Sequence, residues 1–200
     1  MVSAGERRIG VLALQGDVGP HQEVLTRLGA VAVPVRSPHE LDRIDGLILP
    51  GGESTAIGLL LARSGLNVAI PEHFRRRALP LFGTCAGLIL LAKTIRETPD
   101  QPHLGLLDIT VQRNAFGRQR ESCEAHVDSP AFGEPPLHVI FIRAPEVIAV
   151  GAHVEVLARW RDRIVLVREG PILAGAFHPE LTGEDRVHRY FLDRMVIPSP

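Results

Sequence analysis

The sequence predicts an α/β protein with a doubly wound, mostly parallel sheet and additional antiparallel strands in its C-terminal half. Two observations carry this prediction. In the first half, short apolar runs alternate with segments of helical period, as in a sheet built from strand–helix units. In the second half, strand-like segments follow one another with few helices between them, which favours antiparallel pairing.

The strands of the first half are short, continuous apolar runs, typical of strands buried on both faces. We place them at residues 9–14, 31–35, 46–49 and 80–83. Helical patterns occupy residues 20–28, 56–62, 72–78 and 85–94, the last of them apolar enough to be buried. Gly29 ends the first helix, and Pro50, Gly51 and Gly52 end the third strand. This alternation is the pattern of a parallel sheet with helices on its faces.

The second half contains six predicted strands and a closing helix. The strands lie at residues 107–112, 122–127, 139–142, 154–158, 164–168 and 172–177, and the helix lies at 186–195. No internal repeat or low-complexity linker divides the chain, so we expect one domain over residues 1–200.

Composition and charge exclude several classes of protein. The chain has 200 residues, of which 45% are hydrophobic, so it can bury a core. The net charge of -1 gives no strong positive electrostatic field of the kind that attracts nucleic acid or an anionic membrane. Two cysteines do not make a disulfide framework. No apolar signal core or membrane-length apolar run is present, so we expect a cytoplasmic location.

Residues 83–87, Gly-Thr-Cys-Ala-Gly, form a G-x-C-x-G motif between a short strand and an apolar helix. That context is typical of a nucleophile elbow, a strained turn that exposes the nucleophile and needs small residues around it. The helix N-terminus favours a thiolate and offers free N–H groups to an oxyanion. We predict Cys85 as the nucleophile and the Ala86 N–H as an oxyanion donor. The alternative is a buried, inert cysteine at a helix start. Cys123 lies in a polar stretch without such a setting, and we interpret it as structural.

A cysteine nucleophile needs a base, and the base needs a group to orient it. His178 and Glu180 follow an apolar strand, and in an extended chain residues i and i+2 point to the same side. Pro179 restricts His178 to extended geometry. We predict His178 as the base and Glu180 as its orienting group, the alternative being a surface turn before a helix. The other histidines lack a comparable partner pattern, and no spacing suggests a metal site.

Residues 50–54, Pro-Gly-Gly-Glu-Ser, form a turn between the third strand and the next helix. Two adjacent glycines let the backbone approach a ligand closely, so the Gly52 N–H is a candidate for the second oxyanion donor. Phosphate binding is the competing use, but the lysine of a P-loop is absent. A plain turn with Ser54 as helix N-cap is the simplest alternative.

These three motifs, in this order, resemble the class I (triad) glutamine amidotransferases, which have a flavodoxin-like fold and a Cys-His-Glu triad. Further stretches resemble the glutaminase subunit family of pyridoxal 5'-phosphate synthase, the PdxT/Pdx2 family, from about residue 9 to residue 195. The stretches that carry this resemblance are residues 14–17, 49–55, 82–87, 113–119, 141–145 and 177–182.

The resemblance implies a role for each site residue. Cys85 would attack the side-chain amide of glutamine, His178 would transfer the proton, and Glu180 would orient His178. The glutamine site would be formed by Gly52, Glu53, Ser54, Arg113, Ile142 and Arg143. Arginine suits a carboxylate because its planar fork binds both oxygens. Arg118 is a weaker candidate that serves either the site or an interface.

The resemblance also implies a partner and no cofactor. The ammonia would pass to a separate PdxS/Pdx1-like synthase subunit in a large hetero-oligomer. We expect the oxyanion hole to be completed only when that partner docks. Three alternatives stay open: a class I glutaminase that serves a different synthase, a cysteine hydrolase or chaperone-like protein of the same architecture, and a non-catalytic binding subunit.

Overall fold

A parallel sheet forms the centre of the computed structural model, which describes residues 6–113 and 122–196. Strands are numbered along the chain, and the central ones are β1 (Arg8–Leu12), β2 (Val31–Val35), β3 (Gly46–Leu49), β4 (Leu81–Thr84) and β12 (Ile172–Gly175). Their order is β2-β1-β3-β4-β12, and every pair is parallel. This is the strand order of flavodoxin-like folds, so the predicted fold class is confirmed.

Antiparallel strands extend this sheet beyond β12, as the second half of the sequence predicts. They are β5 (Ala92–Ile95), β6 (Leu107–Gln112), β9 (Glu146–Val150), β10 (Glu155–Trp160) and β11 (Arg163–Glu169). The sheet continues β12-β11-β9-β6-β5, with β10 also paired to β11, and only β5 and β6 pair in parallel among these. Separately, β7 (Ser122–Val127) and β8 (Leu137–Ile142) form an antiparallel pair.

Helices cover both faces of the sheet. They are α1 (Val18–Arg27), α2 (Ser54–Ser64), α3 (Leu66–Arg77), α4 (Ala86–Leu91) and α5 (Arg186–Arg194). One core cluster joins α2, α3 and α4 to the sheet, and a second joins α1, α5 and the β7–β8 pair. Along β3, Leu47 and Leu49 belong to the first cluster and Ile48 to the second. A strand buried on both faces explains the continuous apolar runs in the sequence.

Aromatic side chains anchor α5 to the sheet. Phe82 of β4 and Phe191 of α5 are fully buried, with their ring centroids 5.6 Å apart. Burying a side chain of this size stabilises the fold by about 1.5–3 kcal/mol. The packing fixes α5 against the strand that leads directly to Cys85.

The predicted helix over residues 85–94 is wrong in its second part. Helix α4 ends at Leu91, and the chain continues as β5. Thr94 and Ile95 pair with Thr110 and Val111 of β6, so β-branched residues that find strand partners override the local helical pattern. Strand β9 and a 3₁₀ helix at Pro38–Arg43 were not predicted either. Among the helices of the described residues, none is both long and apolar enough to cross a bilayer.

Candidate active site

Cys85 stands in a strained turn between β4 and α4. Its backbone has φ 49° and ψ -100°, a conformation that costs a non-glycine residue on the order of 1–3 kcal/mol. Close packing holds the turn, because a Cβ on Gly87 would collide with the carbonyl oxygen of Leu49 in β3. The expected exposure is wrong: Cys85 is only 8% exposed, and its Sγ lies 3.8 Å from the Ile142 carbonyl oxygen. The thiol therefore lies within a cavity wall.

His178 is held by the β7–β8 pair rather than by the end of a strand. Strand β12 ends at Gly175, and the His178 N–H donates to the Ile140 carbonyl at 2.8 Å. The expectation that His178 and Glu180 share an extended strand is wrong, since Glu180 lies in a 3₁₀ helix, Pro179–Leu181. The turn still brings the two side chains together, with His178 Nδ1 2.7 Å from Glu180 Oε1. Both residues are buried.

The electrostatics of these three residues favour a charged His178. Burial alone would lower the pKa of His178, but hydrogen bonds with Cys85 and Glu180, together with their negative charge, raise it to about 10. Burial raises the pKa of Glu180, and the adjacent His178 opposes that shift. Because Nδ1 is bonded to Glu180, Nε2 is the ring nitrogen left for Cys85. The arrangement supports a protonated His178 ring with Glu180 as its counter-ion.

A second carboxylate, Asp17, faces the same ring nitrogen and was not predicted. Asp17 lies between β1 and α1, and its Oδ2 is 3.5 Å from His178 Nδ1. Its side chain is 40% exposed, so solvent screens its charge more than that of Glu180. Asp17, His178 and Glu180 offer ligand atoms within 4.8 Å of one another, close enough to hold a metal ion. A metal bound there would have to displace the bond between His178 Nδ1 and Glu180.

A cavity of about 100 Å³ opens beside Cys85. Every residue predicted for the glutamine site lines it, together with the predicted oxyanion residue Ala86 and the unpredicted Ile89. The lining residues are Gly52, Glu53, Ser54, Cys85, Ala86, Ile89, Arg113, Ile142 and Arg143. They come from four parts of the chain, which meet at the carboxyl ends of β3 and β4, the end of β8 and the residue after β6. In open α/β sheets this edge is where ligands bind.

Glu53 and Arg113 form the polar side of this cavity. Glu53, not Ser54, is the N-cap of α2, and its carboxylate accepts from the N–H groups of Thr55 and Ala56 at 3.2 and 2.7 Å. Burial opposes ionisation, but these bonds and Arg113 lower the pKa of Glu53. Arg113 Nη2 lies 3.3 Å from Glu53 Oε1, and its Nη1 donates to Gln101 Oε1 at 2.8 Å. A fixed anion and a fixed cation therefore face the cavity together.

The two predicted oxyanion donors border the nucleophile. Ala86 is the first residue of α4, where backbone N–H groups have no acceptor within the helix. Gly52 has φ 151°, and the next residue along, Glu53, donates its N–H to Gln15 Oε1 at 2.9 Å. Gly52 thus packs against Gln15 and lines the same cavity as Cys85.

Sequence reasoning missed a buried pair of histidines behind the triad. His21 of α1 and His188 of α5 are both fully buried, with His21 Nδ1 2.8 Å from His188 Nε2. Helical spacing in the sequence indicates this burial. His21 lies three and four positions before buried Val24 and Leu25, and His188 lies three and four positions before buried Phe191 and Leu192. A histidine on an apolar helix face must find a buried partner, so this spacing indicates a buried polar contact for each ring.

Arg118 and Cys123 are the two remaining residues that the sequence singled out. Arg118, with the rest of residues 114–119, lies outside the described residues. Cys123 lies on β7, partly buried against the core of the α1–α5 face. Its packing agrees with a structural role.

Comparisons with known proteins agree on one family. A model described as the SNO glutamine amidotransferase family matches residues 11–197. A relative from Pelotomaculum thermopropionicum, named pyridoxal 5'-phosphate synthase subunit PdxT, is 54% identical over 189 residues, covering 94% of this chain and 95% of the relative. A relative of the same name from Frankia casuarinae is 55% identical over 187 residues, covering 93% and 94%. A solved structure titled "Crystal structure of glutamine amidotransferase" has a TM-score of 0.89 and 51% identity, covering 92% of this chain and 97% of that one.

Proposed function

The chain belongs to the SNO glutamine amidotransferase family, and from this premise we propose that it is the glutaminase subunit of a pyridoxal 5'-phosphate synthase. It hydrolyses L-glutamine to L-glutamate and ammonia. One observation carries the proposal: Cys85 lines a cavity that carries both charges a free amino acid requires, and the hydrogen-bonded pair of His178 and Glu180 interacts with its thiol. We treat residues 1–200 as one glutaminase domain.

Charge complementarity supports glutamine as the substrate. Free glutamine carries an α-carboxylate and an α-ammonium group, and the cavity offers Arg113 and Arg143 for the first and Glu53 for the second. The side-chain amide then points toward Cys85. Gly52, Ser54 and Ile142 complete the walls. No cofactor is required for this chemistry.

The proposed reaction has two halves. In the first, the Cys85 thiolate forms a bond to the amide carbon, and the carbonyl oxygen becomes an oxyanion that the Gly52 and Ala86 N–H groups stabilise. His178 gives its proton to the amide nitrogen, the C–N bond breaks, and ammonia leaves a glutamyl thioester on Cys85. In the second half, His178 takes a proton from water, which attacks the thioester and releases glutamate. Glu180 keeps His178 oriented through both halves.

The ammonia passes to a separate synthase subunit in this proposal. The relatives are named as one subunit of pyridoxal 5'-phosphate synthase, which supports a partner that carries the second activity. We propose a PdxS/Pdx1-like partner in a large hetero-oligomer located in the cytoplasm. Completion of the oxyanion hole on docking stays a prediction.

The test is ammonia release from glutamine by the wild type and by Cys85→Ala, each with and without the pyridoxal 5'-phosphate synthase partner. We expect release that the partner stimulates and that the substitution abolishes. Release without stimulation would point to a different synthase partner. Wild-type activity in Cys85→Ala would remove Cys85 as the nucleophile, and no release under any condition would remove the glutaminase function.

A further inference from the structure

A buried polar chain continues from the triad into the core. Glu180 Oε1 lies 3.6 Å from His21 Nε2, the same nitrogen lies 3.2 Å from Thr84 Oγ1, and His21 Nδ1 lies 2.8 Å from His188 Nε2. Thr84 directly precedes Cys85. These buried polar contacts therefore link α1, strand β4 before the elbow, the turn that carries Glu180, and α5.

The hydrogen bonds favour one tautomer of each histidine. His188 Nδ1 is buried without a hydrogen-bond partner among the described residues. A buried N–H without an acceptor is costly, so the proton of His188 belongs on Nε2, where it is donated to His21 Nδ1. His21 then carries its own proton on Nε2. That N–H points between Thr84 Oγ1 and Glu180 Oε1, and the opposite tautomer would instead aim a lone pair at the carboxylate.

Glu180 needs this contact because it is nearly cut off from water. Its side chain has no exposed surface, and its Oε2 has no hydrogen-bond partner among the described residues. Building on the glutaminase chemistry proposed above, we propose that His21 is a positioning residue of the triad, which directs an N–H toward Glu180 and keeps its carboxylate ionised and oriented on His178. His188 fixes the tautomer of His21. At 3.6 Å the contact is electrostatic rather than a hydrogen bond.

Both histidines act as neutral groups in this arrangement. Burial, followed by the repulsion of neighbouring histidines, lowers the pKa of His21 well below its ordinary value, and burial lowers the pKa of His188 to about 3. The charged and titratable groups around His21, His188 and the triad are Asp17, Arg27, Cys85, His178, Glu180 and Asp185. Of these, His178 shares the Glu180 oxygen Oε1 with His21, at 2.7 and 3.6 Å, and Asp17 contacts His178 Nδ1 at 3.5 Å.

A purely structural role makes a different prediction. The rings of His21 and His188 pack edge-on against Phe82, with centroids 6.3 and 5.3 Å away. If packing were their whole contribution, removing His21 would lower stability and leave the ionisation of Cys85 and His178 unchanged. A positioning role instead couples His21 to the charge on His178, since a less stable Glu180 carboxylate supports imidazolium less well.

The experiment measures the pH midpoint for alkylation of Cys85 by iodoacetamide, followed on the Cys85 peptide by mass spectrometry so that Cys123 does not interfere. The full chain is compared with His21→Leu, His21→Gln and His73→Leu. Glutamine at position 21 retains a donor near the place of Nε2. His73 is a matched control, a largely buried histidine of α3 that faces Asp42 and whose pKa burial also lowers.

We expect the midpoint to rise by about one pH unit in His21→Leu, to return close to the wild-type value in His21→Gln, and to stay unchanged in His73→Leu. In the complex with the partner, kcat of His21→Leu should fall about tenfold while KM for glutamine stays constant, because His21 does not touch the cavity. His188→Leu, which frees the tautomer of His21, should shift the midpoint in the same direction and replaces His21→Leu if that variant does not fold.

An unchanged midpoint in folded His21→Leu or His188→Leu would overturn the proposal and leave both histidines as packing residues. Failure of the proposed function is distinguishable from this outcome. If the wild-type chain releases no ammonia with its partner, yet the alkylation midpoint rises in His21→Leu, the glutaminase function is removed and the positioning role of His21 on the Cys85–His178 pair is kept.

Discussion

Replacing Gly51 with alanine should separate the placement of His178 from the stability of the fold. Gly51 does not have a positive φ, so alanine introduces no backbone strain. A Cβ at this position would overlap His178 Cε1 and lie 3.0 Å from both His178 Nδ1 and Asp17 Oδ2. Ordinary carbon contacts need about 3.5–4.0 Å, so the imidazole must move by roughly 1 Å. A displacement of that size costs about 100-fold in rate, and the 2.7 Å bond to Glu180 is the contact it breaks.

The assay is partner-stimulated ammonia release, with thermal unfolding measured on the same preparations. Gly51→Ala should lose about 100-fold in kcat and keep a cooperative unfolding transition. Gly19→Ala is the matched control, because a Cβ at Gly19 in α1 meets open space and should leave activity unchanged while adding up to about 1 kcal/mol of stability. Activity of Gly51→Ala within about threefold of wild type would refute the close contact between this loop and His178.

Three further substitutions test other parts of the structure. Gly87→Ala sets a Cβ against the backbone oxygen of Leu49 and should lower the free energy of unfolding, measured in urea, by about 3 kcal/mol. A urea midpoint equal to that of the wild type would contradict the packing of α4 on β3. His188 has its pKa lowered by burial to about 3, so below pH 6.5 the unfolded chain binds a proton that the folded chain excludes. Stability is therefore intact above pH 6.5 and falls by about 1.4 kcal/mol per pH unit below it; His188→Gln should show a weaker loss between pH 7.5 and 5.5, and an equal loss would argue against burial of a neutral ring. Gln101→Leu removes the nearest acceptor of Arg113 Nη1, which also donates to Thr55 Oγ1 and Thr98 Oγ1, and should raise KM about tenfold with little change in kcat; an unchanged KM would mean that Arg113 holds its position without Gln101.

Much of the fold could be predicted because its signals are local. Strands β2, β3, β6 and β7 begin and end at the predicted residues. The predictions failed where long-range pairing competes with local pattern. Residues Ala92–Ile95 have a helical apolar pattern but become a strand because β6 offers partners. Glu180 lies in a 3₁₀ helix because the turn after β12 is shaped by the bridge from His178 to β8.

The strands and helices other than β5, β9 and the 3₁₀ helices, the strained turn at Cys85, and the candidate residues of the cavity could all be predicted from the sequence. The strands and the turn follow from glycine placement and apolar periodicity, which act over a few neighbouring residues, whereas the glutamine-site residues came from the resemblance to a known family. Three contacts could not be predicted and depend on the folded chain: Glu53 caps α2, Asp17 faces His178, and His21 meets His188 across 167 positions of sequence. A buried polar side chain takes the partner that packing brings to it, and packing depends on the whole core rather than on adjacent residues.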